Sequence, residues 1–319
     1  MSKVRVVGLG RAVFDVLART ERMPTWEDPG RLSELDVDGG GPCATAVVAV
    51  ERLGIHAGMI GTYGSNRAGQ IKLQSLVENG VDVSRMVQRP GPETQAVIAF
   101  VDAETGERIF TGVKGFDSGG LTSDELDREY ITAAEYLHLD GGHAEAALQA
   151  AGWVHEAGGK VMLDGSSVRA GGTVGPAMCA LVEACDVLIC GSGFGPALTG
   201  KHDLWEIGRT ILAMGPQVVV QTEGKDGSYT TTRQEEFHTP SFDVEVVDTT
   251  GCGDVFHGAF IVGQVHGWSL RETAQFASAV SALKARKLGG RAGIPTLEET
   301  IAFLRERLGD WPPHTTGKE

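Results

Sequence analysis

The sequence predicts an α/β fold in which helices cover a central, mainly parallel sheet that carries a small β-rich lid. From about residue 131 onward, short apolar strands alternate with helices, the pattern of right-handed βαβ units. A polar segment at 15–38 and a hairpin pattern at 94–113 interrupt this alternation, so we assign them to the lid. Glycine makes up 45 of 319 residues, about twice its usual share, which indicates many tight turns or backbone-lined sites.

The amino-terminal elements follow from local patterns. Residues 4–7 are mainly β-branched and run into a glycine-rich loop, which predicts a buried strand. Pro42 stands at the first position of an alanine-rich helix. An Ala-Glu-Thr-Gly turn between two apolar runs predicts the lid hairpin. We therefore expect one domain spanning 1–319, with a lid formed by about 12–38 and 92–115.

The rest of the chain predicts repeating strand and helix units. Four short apolar runs indicate strands, at 136–140, 160–164, 186–190 and 217–222. The last third is mainly helical by pattern, with helices at 252–266, 269–287 and 297–307 and a loosely held tail at 311–319. Parallel sheets bind ligands beyond the carboxyl ends of their strands, so we expect the functional site at that edge.

Charge and composition argue against several classes of function. The chain has 28 basic and 42 acidic residues and a net charge of −14, which disfavours nucleic acid as a main partner because phosphate backbones recruit clustered Lys and Arg. No apolar run reaches the roughly 20 residues of a membrane helix, and the amino terminus lacks the apolar region of a signal peptide. Five cysteines without CxxC spacing favour neither a disulfide framework nor a zinc site. We expect a soluble, cytoplasmic protein with no membrane partner.

The strongest functional signal is the segment DTTGCGDVFHGAF, which begins at Asp248. Gly251 and Gly253 permit a sharp turn where a helix begins, so several peptide N–H groups and the helix dipole point at one spot. Such a cluster of donors suits a phosphoryl group that gains negative charge during transfer. Asp254, in the first helical turn, can accept a proton from an incoming hydroxyl. Taken alone, the pattern is also compatible with turn glycines followed by a helix-favouring acid.

This segment resembles the signature of the ribokinase-like (PfkB) carbohydrate kinases, DTxGAGD followed by Phe and Gly. Further segments are similar in order and spacing over roughly residues 4–305, namely GLGRAVFD from Gly8, GGGPCATAVVAVERLG from Gly39, GTYGSNRAG from Gly61 and TEGKDG from Thr222. The resemblance implies a ribokinase-like three-layer sandwich and ATP-dependent phosphorylation of a small molecule's hydroxyl. The GGGP form and the LDGGH and LDGSSVR strand ends are closer to ketohexokinase and sulfofructose kinase, which favours a keto-sugar or related polyol.

The resemblance also implies catalytic roles. Asp254 would be the base, and Gly251, Cys252 and Gly253 would donate the N–H groups of an anion hole. Cys252 stands where alanine is common in the family. Phosphoryl transfer needs positioning and charge neutralisation more than covalent help, which suits this set.

Binding roles follow in the same way. The residues implied for the acceptor are Asp15, Gly40, Gly41 and Ala44, and those for the nucleotide are Thr222, Gly224 and Gly227. Ala44 takes the place of an asparagine that binds acceptor hydroxyls in many sugar kinases. ATP with Mg²⁺ is the expected cofactor. A homodimer is the expected assembly, because exposed lid strands invite edge-to-edge pairing.

Metal binding is where the sequence departs from the family. The NxxE motif that orders Mg²⁺ and phosphates should follow the strand at 186–190, but residues 191–194 are Gly-Ser-Gly-Phe. Waters or another carboxylate must then substitute. Asp248 and Thr250 resemble positions that hold a monovalent cation in some members, which makes K⁺ a candidate cofactor.

Two other functions stay open. A nucleoside kinase of the same fold would need an aromatic or apolar slot for a base. A nucleotide- or sugar-binding protein without turnover would be consistent with the missing NxxE motif, although the intact GCGD turn argues against it. Two other motif matches are incomplete, since His202 replaces the hydroxyl residue of a P-loop and Val13 the third glycine of a dinucleotide fingerprint.

Overall fold

The computed structural model describes residues 3–106, 108–116, 119–169 and 171–312, which form fourteen strands and ten helices. The strands are β1 (Val6–Leu9), β2 (Val13–Thr20), β3 (Leu32–Gly40), β4 (Ala57–Ile60), β5 (Thr62–Gly64), β6 (Val87–Arg89), β7 (Ala96–Asp102), β8 (Arg108–Gly112), β9 (Tyr136–Leu139), β10 (Lys160–Asp164), β11 (Val187–Gly191), β12 (Val218–Thr222), β13 (Ser228–Thr232) and β14 (Glu236–Thr239). The helices are α1 (Pro42–Arg52), α2 (Arg67–Glu78), α3 (Arg128–Thr132), α4 (Ala144–Glu156), α5 (Pro176–Glu183), α6 (Phe194–Thr199), α7 (Leu204–Leu212), α8 (Cys252–Val265), α9 (Leu270–Lys284) and α10 (Leu297–Leu308).

Eight strands form the central sheet, in the order β14, β13, β12, β11, β10, β9, β1, β4. The six strands from β12 to β4 are parallel, which confirms the predicted α/β class. β13 and β14 join the sheet antiparallel at one edge. This pair was not predicted, because the two strands are rich in threonine and polar residues and have no continuous apolar run.

Successive residues of each central strand point into different cores, because side chains alternate across a sheet. Met162 packs into the core with α1, α8 and α9, and Leu163 packs into the core with α4, α5 and α7. Ile189 and Leu188 divide in the same way on the next strand. Helices therefore cover both faces, and the carboxyl ends of the parallel strands meet at one edge.

A separate four-stranded sheet, which we call the lid sheet, has the order β3, β2, β7, β8. The hairpin predicted at 94–113 is confirmed as β7 and β8, which pair antiparallel. The polar segment at 15–38 supplies β2 and β3, and β2 also pairs in parallel with β7. β5 and β6 form a small pair of their own.

The carboxyl-terminal region differs from its prediction at two places. α9 ends at Lys284, three residues before the predicted end. Trp311 is 2% exposed and stacks on Phe276 with ring centroids 5.8 Å apart, so the tail is not loose at its start. Residues 313–319 lie outside the described part. No described helix combines the length and apolar character that crossing a bilayer requires.

Candidate active site

Two cavities meet at the amino terminus of α8. One, the lid-side cavity, has a volume of about 470 Å³ and is lined partly by the lid sheet. The other, the loop-side cavity, has a volume of about 680 Å³ and runs along the loop after β12. Six residues line both and define what we call the passage: Arg108, Ser167, Gly191, Thr222, Thr249 and Gly253.

The two glycines before Asp254 differ in what surrounds them. Gly251 has φ +75°, and a Cβ added there would lie 2.8 Å from the backbone oxygen of Gly290, so both conformation and space require glycine. Gly253 is helical, and a Cβ added there would meet no atom within 4 Å. Since Gly253 lines both cavities, a side chain at this position would occupy the passage itself.

Asp254 lines the lid-side cavity and directly follows Gly253, which belongs to the passage. Loss of hydration raises the pKa of its carboxyl to about 7, and the nearby carboxyls of Asp164 and Asp140 add to the rise, while Lys284 and Arg291 oppose it. A carboxyl with such a pKa exchanges its proton near neutral pH, which is what a general base requires.

A second carboxyl, that of Asp164 at the end of β10, also lines the lid-side cavity. It accepts the Ser166 N–H and lies 3.7 Å from Nε2 of His257. Burial raises its pKa to about 7 and lowers the pKa of His257 to about 3. His257 is therefore a neutral imidazole, and the two acids Asp164 and Asp254 hold partial negative charge without a cationic hydrogen-bond partner among the described residues.

Asp15 reaches the lid-side cavity from strand β2. A Cβ on Gly40 would lie 1.9 Å from the Asp15 carboxylate, so glycine makes room for it. Burial raises the pKa of Asp15 to about 6, which Arg291 opposes. Arg291 is 2% exposed and donates to the Gly40 oxygen at 3.0 Å, so it anchors the end of β3 behind Asp15.

The remaining residues predicted for the acceptor, Gly41 and Ala44, differ in their access to the cavity. Gly41 has φ +94° and lines the lid-side cavity. Ala44 is fully buried in α1, lines neither cavity, and donates its N–H to the backbone oxygen of Arg11. Its methyl group is placed for packing, with no contact to the cavities.

The residues predicted for the nucleotide all line the loop-side cavity. Thr222 ends β12 and donates its hydroxyl to the Cys190 oxygen at 3.3 Å. Gly224 begins a short 3₁₀ turn, and Gly227 follows it with φ +86°. Cys252 lines this cavity as well, so the turn predicted to form an anion hole borders both cavities.

Asp248 and Thr250, the residues predicted for a monovalent cation, hold the turn through internal hydrogen bonds. The buried carboxylate of Asp248 accepts the N–H groups of Thr250 and Gly289, each at 2.8 Å. Burial raises the pKa of Asp248, but Lys284 and these bonds lower it overall. The backbone oxygen of Asp248 accepts the Lys284 ammonium at 2.9 Å. Each carboxylate oxygen of Asp248 and its backbone oxygen thus accepts one hydrogen bond within the turn.

Residues 191–194, where the NxxE motif was expected, contain no carboxylate. Gly191 lines both cavities, and the Ser192 hydroxyl donates to Glu223 at 2.7 Å. Within the described ranges, no group of three or more His, Cys, Asp or Glu side chains is arranged to hold a metal ion.

Several residues of the site carried no usable signal in the sequence. Arg108 arrives from lid strand β8 and donates to the Thr249 hydroxyl. Lys284 and Arg291 approach from the carboxyl-terminal region. Asp164 had a weak signal, because an acid at the carboxyl end of a parallel strand is well placed for a ligand.

Comparisons with known proteins find similar sequences and a similar fold. The family model for pfkB family carbohydrate kinases matches residues 3–297. The chain is 29% identical to an ATP-dependent ribose-1-phosphate kinase from Halopiger xanaduensis, over 96% of this chain and 99% of that protein. It is 30% identical to an aminoimidazole riboside kinase from Salmonella typhimurium, over 83% and 87%. The fold matches that of a ribokinase from Thermotoga maritima with TM-score 0.81 and 22% identity, over 95% and 99%.

Proposed function

We propose that this chain, which belongs to the pfkB family of carbohydrate kinases, transfers the γ-phosphoryl group of ATP to a sugar hydroxyl with Asp254 as the base. One observation carries the proposal. The open glycine Gly253 and the carboxyl of Asp254 lie side by side at the start of α8, where the two cavities meet. ATP would occupy the loop-side cavity and the acceptor the lid-side cavity.

In the proposed reaction, the ionised carboxylate of Asp254 accepts the proton of the acceptor hydroxyl as its oxygen attacks the γ-phosphorus. The new O–P bond forms as the bond to the β-phosphate oxygen breaks, and ADP leaves with that electron pair. The N–H groups at the start of α8, from Gly251 to Gly253, stabilise the charge on the transferring phosphoryl group. Gly253 provides the space in which the group moves.

Arg108 is the charged residue among the six that define the passage. Its guanidinium donates to Thr249, and its Nε is buried with no hydrogen-bond partner among the described residues. A fixed guanidinium at this point suits three phosphoryl oxygens. We propose that Arg108 contacts the transferring group. Its positive charge would stabilise the phosphates, which the NxxE motif helps to order together with Mg²⁺ in other family members.

We propose that Mg²⁺ accompanies ATP. The carboxyl of Asp164 fits a divalent cation, because its negative charge raises the pKa of the neighbouring Asp254 and a bound cation would relieve that repulsion. Mg²⁺ in phosphate sites is typically held by one or two carboxylates together with phosphates and waters. When bound, the ion neutralises phosphate charge.

For the acceptor we propose a keto-sugar or related polyol whose hydroxyls contact Asp15. Arg11 also lines the lid-side cavity, and its charge lowers the pKa of Asp164. An acceptor with a phosphate or sulfonate group could pair with this arginine. The similarity to a ribose-1-phosphate kinase makes a phosphorylated sugar a necessary member of the acceptor screen.

A nucleoside kinase is the second candidate. Phe110 and Phe116 line the lid-side cavity, which gives it the aromatic surface a base would need. The similarity to an aminoimidazole riboside kinase is consistent with this alternative.

We further propose that the lid sheet closes over the acceptor and that its outer face forms a homodimer. Leu35, Ile98 and Ile109 are 60%, 40% and 54% exposed. The strand register places them on the same side of the sheet, opposite the side that carries Arg108. A contiguous apolar face of this kind favours a second copy of the chain, through the face of the lid sheet rather than the edge expected from sequence.

The experiment that tests the function is an acceptor screen with ATP and Mg²⁺, measured by ADP release. The panel contains fructose, tagatose, ribose, ribose 1-phosphate, sulfofructose, adenosine and aminoimidazole riboside. Saturable turnover with a sugar supports the proposal, and turnover confined to nucleosides supports the second candidate. ADP binding with no ADP release for any acceptor would indicate a binding protein without turnover and contradict both.

A further inference from the structure

Lys284, the last residue of α9, lies behind the turn that starts α8. Its side chain is fully buried, and its ammonium donates to the backbone oxygen of Asp248 at 2.9 Å. Within the described part of the chain, no carboxylate lies within ion-pair distance of this ammonium. A buried cation with a single carbonyl partner is energetically unfavourable unless an anion compensates it.

Residues before and after Lys284 form hydrogen bonds with the turn that precedes α8. The backbone oxygen of Ala285 accepts the N–H groups of Val247 and Asp248, at 2.8 and 3.1 Å. The Ser281 hydroxyl donates to the backbone oxygen of Cys252 at 2.9 Å. The ammonium is thus held at a fixed place beneath the peptide groups that begin α8.

Four titratable or charged groups face Lys284 from the surrounding elements. Burial lowers its pKa, Cys252, Asp248 and Asp254 raise it, and Arg108 lowers it further. The surrounding groups therefore compensate the positive charge of Lys284 only in part. A phosphoryl group entering the passage would bring the missing negative charge, and it would do so most strongly when charge develops during transfer.

We infer that Lys284 is a built-in cation of the anion hole, a positioning residue that fixes the Asp248 carbonyl and supplies positive charge behind the amides of residues 251–253. This inference rests on the proposed kinase function. In place of the K⁺ expected at Asp248 and Thr250, it assigns the cationic role to Lys284, whose ammonium donates to the Asp248 carbonyl while two amides donate to the Asp248 carboxylate. The tethered ammonium takes over the electrostatic role of a free monovalent cation.

Lys72 provides the matched control, because it is the other lysine with a fully buried side chain in the described ranges. Its ammonium lies 2.7 Å from the Glu93 carboxylate and donates to the Ala12 oxygen at 2.9 Å. Lys72 is therefore a compensated structural cation, and it lines neither cavity.

The first test needs no variant. ADP release by the purified chain is measured with an acceptor found in the screen, in KCl, NaCl and tetramethylammonium chloride of equal ionic strength. The inference predicts kcat values that agree within about twofold, because Lys284 already supplies the charge. A tenfold or greater activation by K⁺ would overturn it. Absence of turnover with every acceptor would instead count against the proposed function.

The second test replaces the ammonium. Lys284→Met is expected to lower kcat by about 100-fold with KM for the acceptor nearly unchanged. It should also move the acid limb of the kcat/KM profile to higher pH, because the cation that lowers the pKa of Asp254 is gone. Lys284→Ala should recover activity with added ethylammonium, which returns a cation to the space left by the removed side chain.

Lys72→Met should lower Tm without moving the acid limb or responding to ethylammonium. If Lys284→Met does not fold, Lys284→Arg keeps the charge and should keep the acid limb in place. An unmoved acid limb together with no ethylammonium recovery would show that Lys284 only packs.

Discussion

The central sheet and the lid sheet differ in how their faces are covered. Both faces of the central sheet pack against helices, and its strands contribute fully buried residues such as Met162 and Leu163 to separate cores. The lid sheet has one side over the active-site cavity and exposes apolar residues on the other, with Leu35 60% exposed. A fully packed layer holds groups in fixed positions, whereas a sheet covered on one side can adapt or associate.

From this difference we propose that the body of the molecule performs the chemistry and that the lid sheet selects the acceptor. Gly253 and Asp254 lie in the first turn of α8 and Gly251 directly precedes it, and α8 packs in the body of the molecule. Asp15 and Arg108 come from strands of the lid sheet. Changes in α8 should abolish turnover with every acceptor, and changes in the lid sheet should alter acceptor affinity, rate or assembly to a smaller extent.

The largest effect is expected for Asp254→Asn. Loss of the base should lower kcat by about 10³- to 10⁴-fold, with ADP affinity in a calorimetric titration retained. In the unaltered protein the raised pKa of about 7 predicts that kcat/KM rises with pH through that value, because only the ionised carboxylate accepts the proton. Near-normal turnover by the variant, or a rate that does not change between pH 5 and 8, would break the assignment of chemistry to α8.

The next effect separates catalysis from folding within one turn. Gly253→Ala should lower kcat by about 100-fold, because its methyl group enters the passage, while Tm stays near that of the unaltered protein since the Cβ meets no atom. Gly251→Ala should instead lower Tm, because alanine would have to adopt the positive φ of this position and its Cβ would clash with the backbone of Gly290. Paired kinetics and thermal melts check both, and full activity in Gly253→Ala would show that the phosphoryl group passes elsewhere.

Secondary structure was predicted most accurately where it depends on residues that are close together in the sequence. The predicted helix at 252–266 begins where α8 begins, at Cys252, because two glycines and an acid define that turn within seven residues. The hairpin at β7 and β8 was found for the same reason. β13 and β14 were missed because polar strands at a sheet edge carry no apolar pattern.

The parts of the site that escaped prediction depend on distant contacts. Arg108 reaches Thr249 across 141 positions of sequence, and Lys284 reaches Asp248 across 36. Neither residue type is unusual in its own element, since a lysine is favourable near any helix carboxyl terminus. Only the packing of α9 against the turn and of the lid sheet over the cavity gives these two cations a role.

A smaller effect on rate tests whether the lid sheet also contributes to the chemical step. Arg108→Met should lower kcat by about 10- to 100-fold, because a charge-assisted contact to the phosphoryl group is lost although the residue belongs to the lid sheet. Arg22→Met is the control, since Arg22 pairs with Asp28 and lines neither cavity. If both variants keep full kcat, the lid sheet contributes to acceptor binding alone.

The smallest effect on chemistry is expected at the outer face of the lid sheet. Leu35→Asp should convert the proposed dimer to a monomer in sedimentation velocity while kcat changes by no more than about threefold, because a charge in an apolar interface is disfavoured. Leu308→Asp is the control, because Leu308 is 46% exposed at the end of α10, a helix that packs against α9. A monomeric unaltered protein, or a dimer that survives the Leu35 change, would contradict dimerisation through this face.

The most direct measurement is a crystal structure of the protein with ADP, aluminium fluoride, Mg²⁺ and an acceptor identified by the screen. We expect the Asp254 carboxylate within about 2.6–3.2 Å of the acceptor hydroxyl, and the fluorine atoms, which stand in for the phosphoryl oxygens, against the amides of residues 251–253. A phosphoryl mimic bound elsewhere, or an Asp254 carboxylate turned away from the acceptor in that complex, would contradict it.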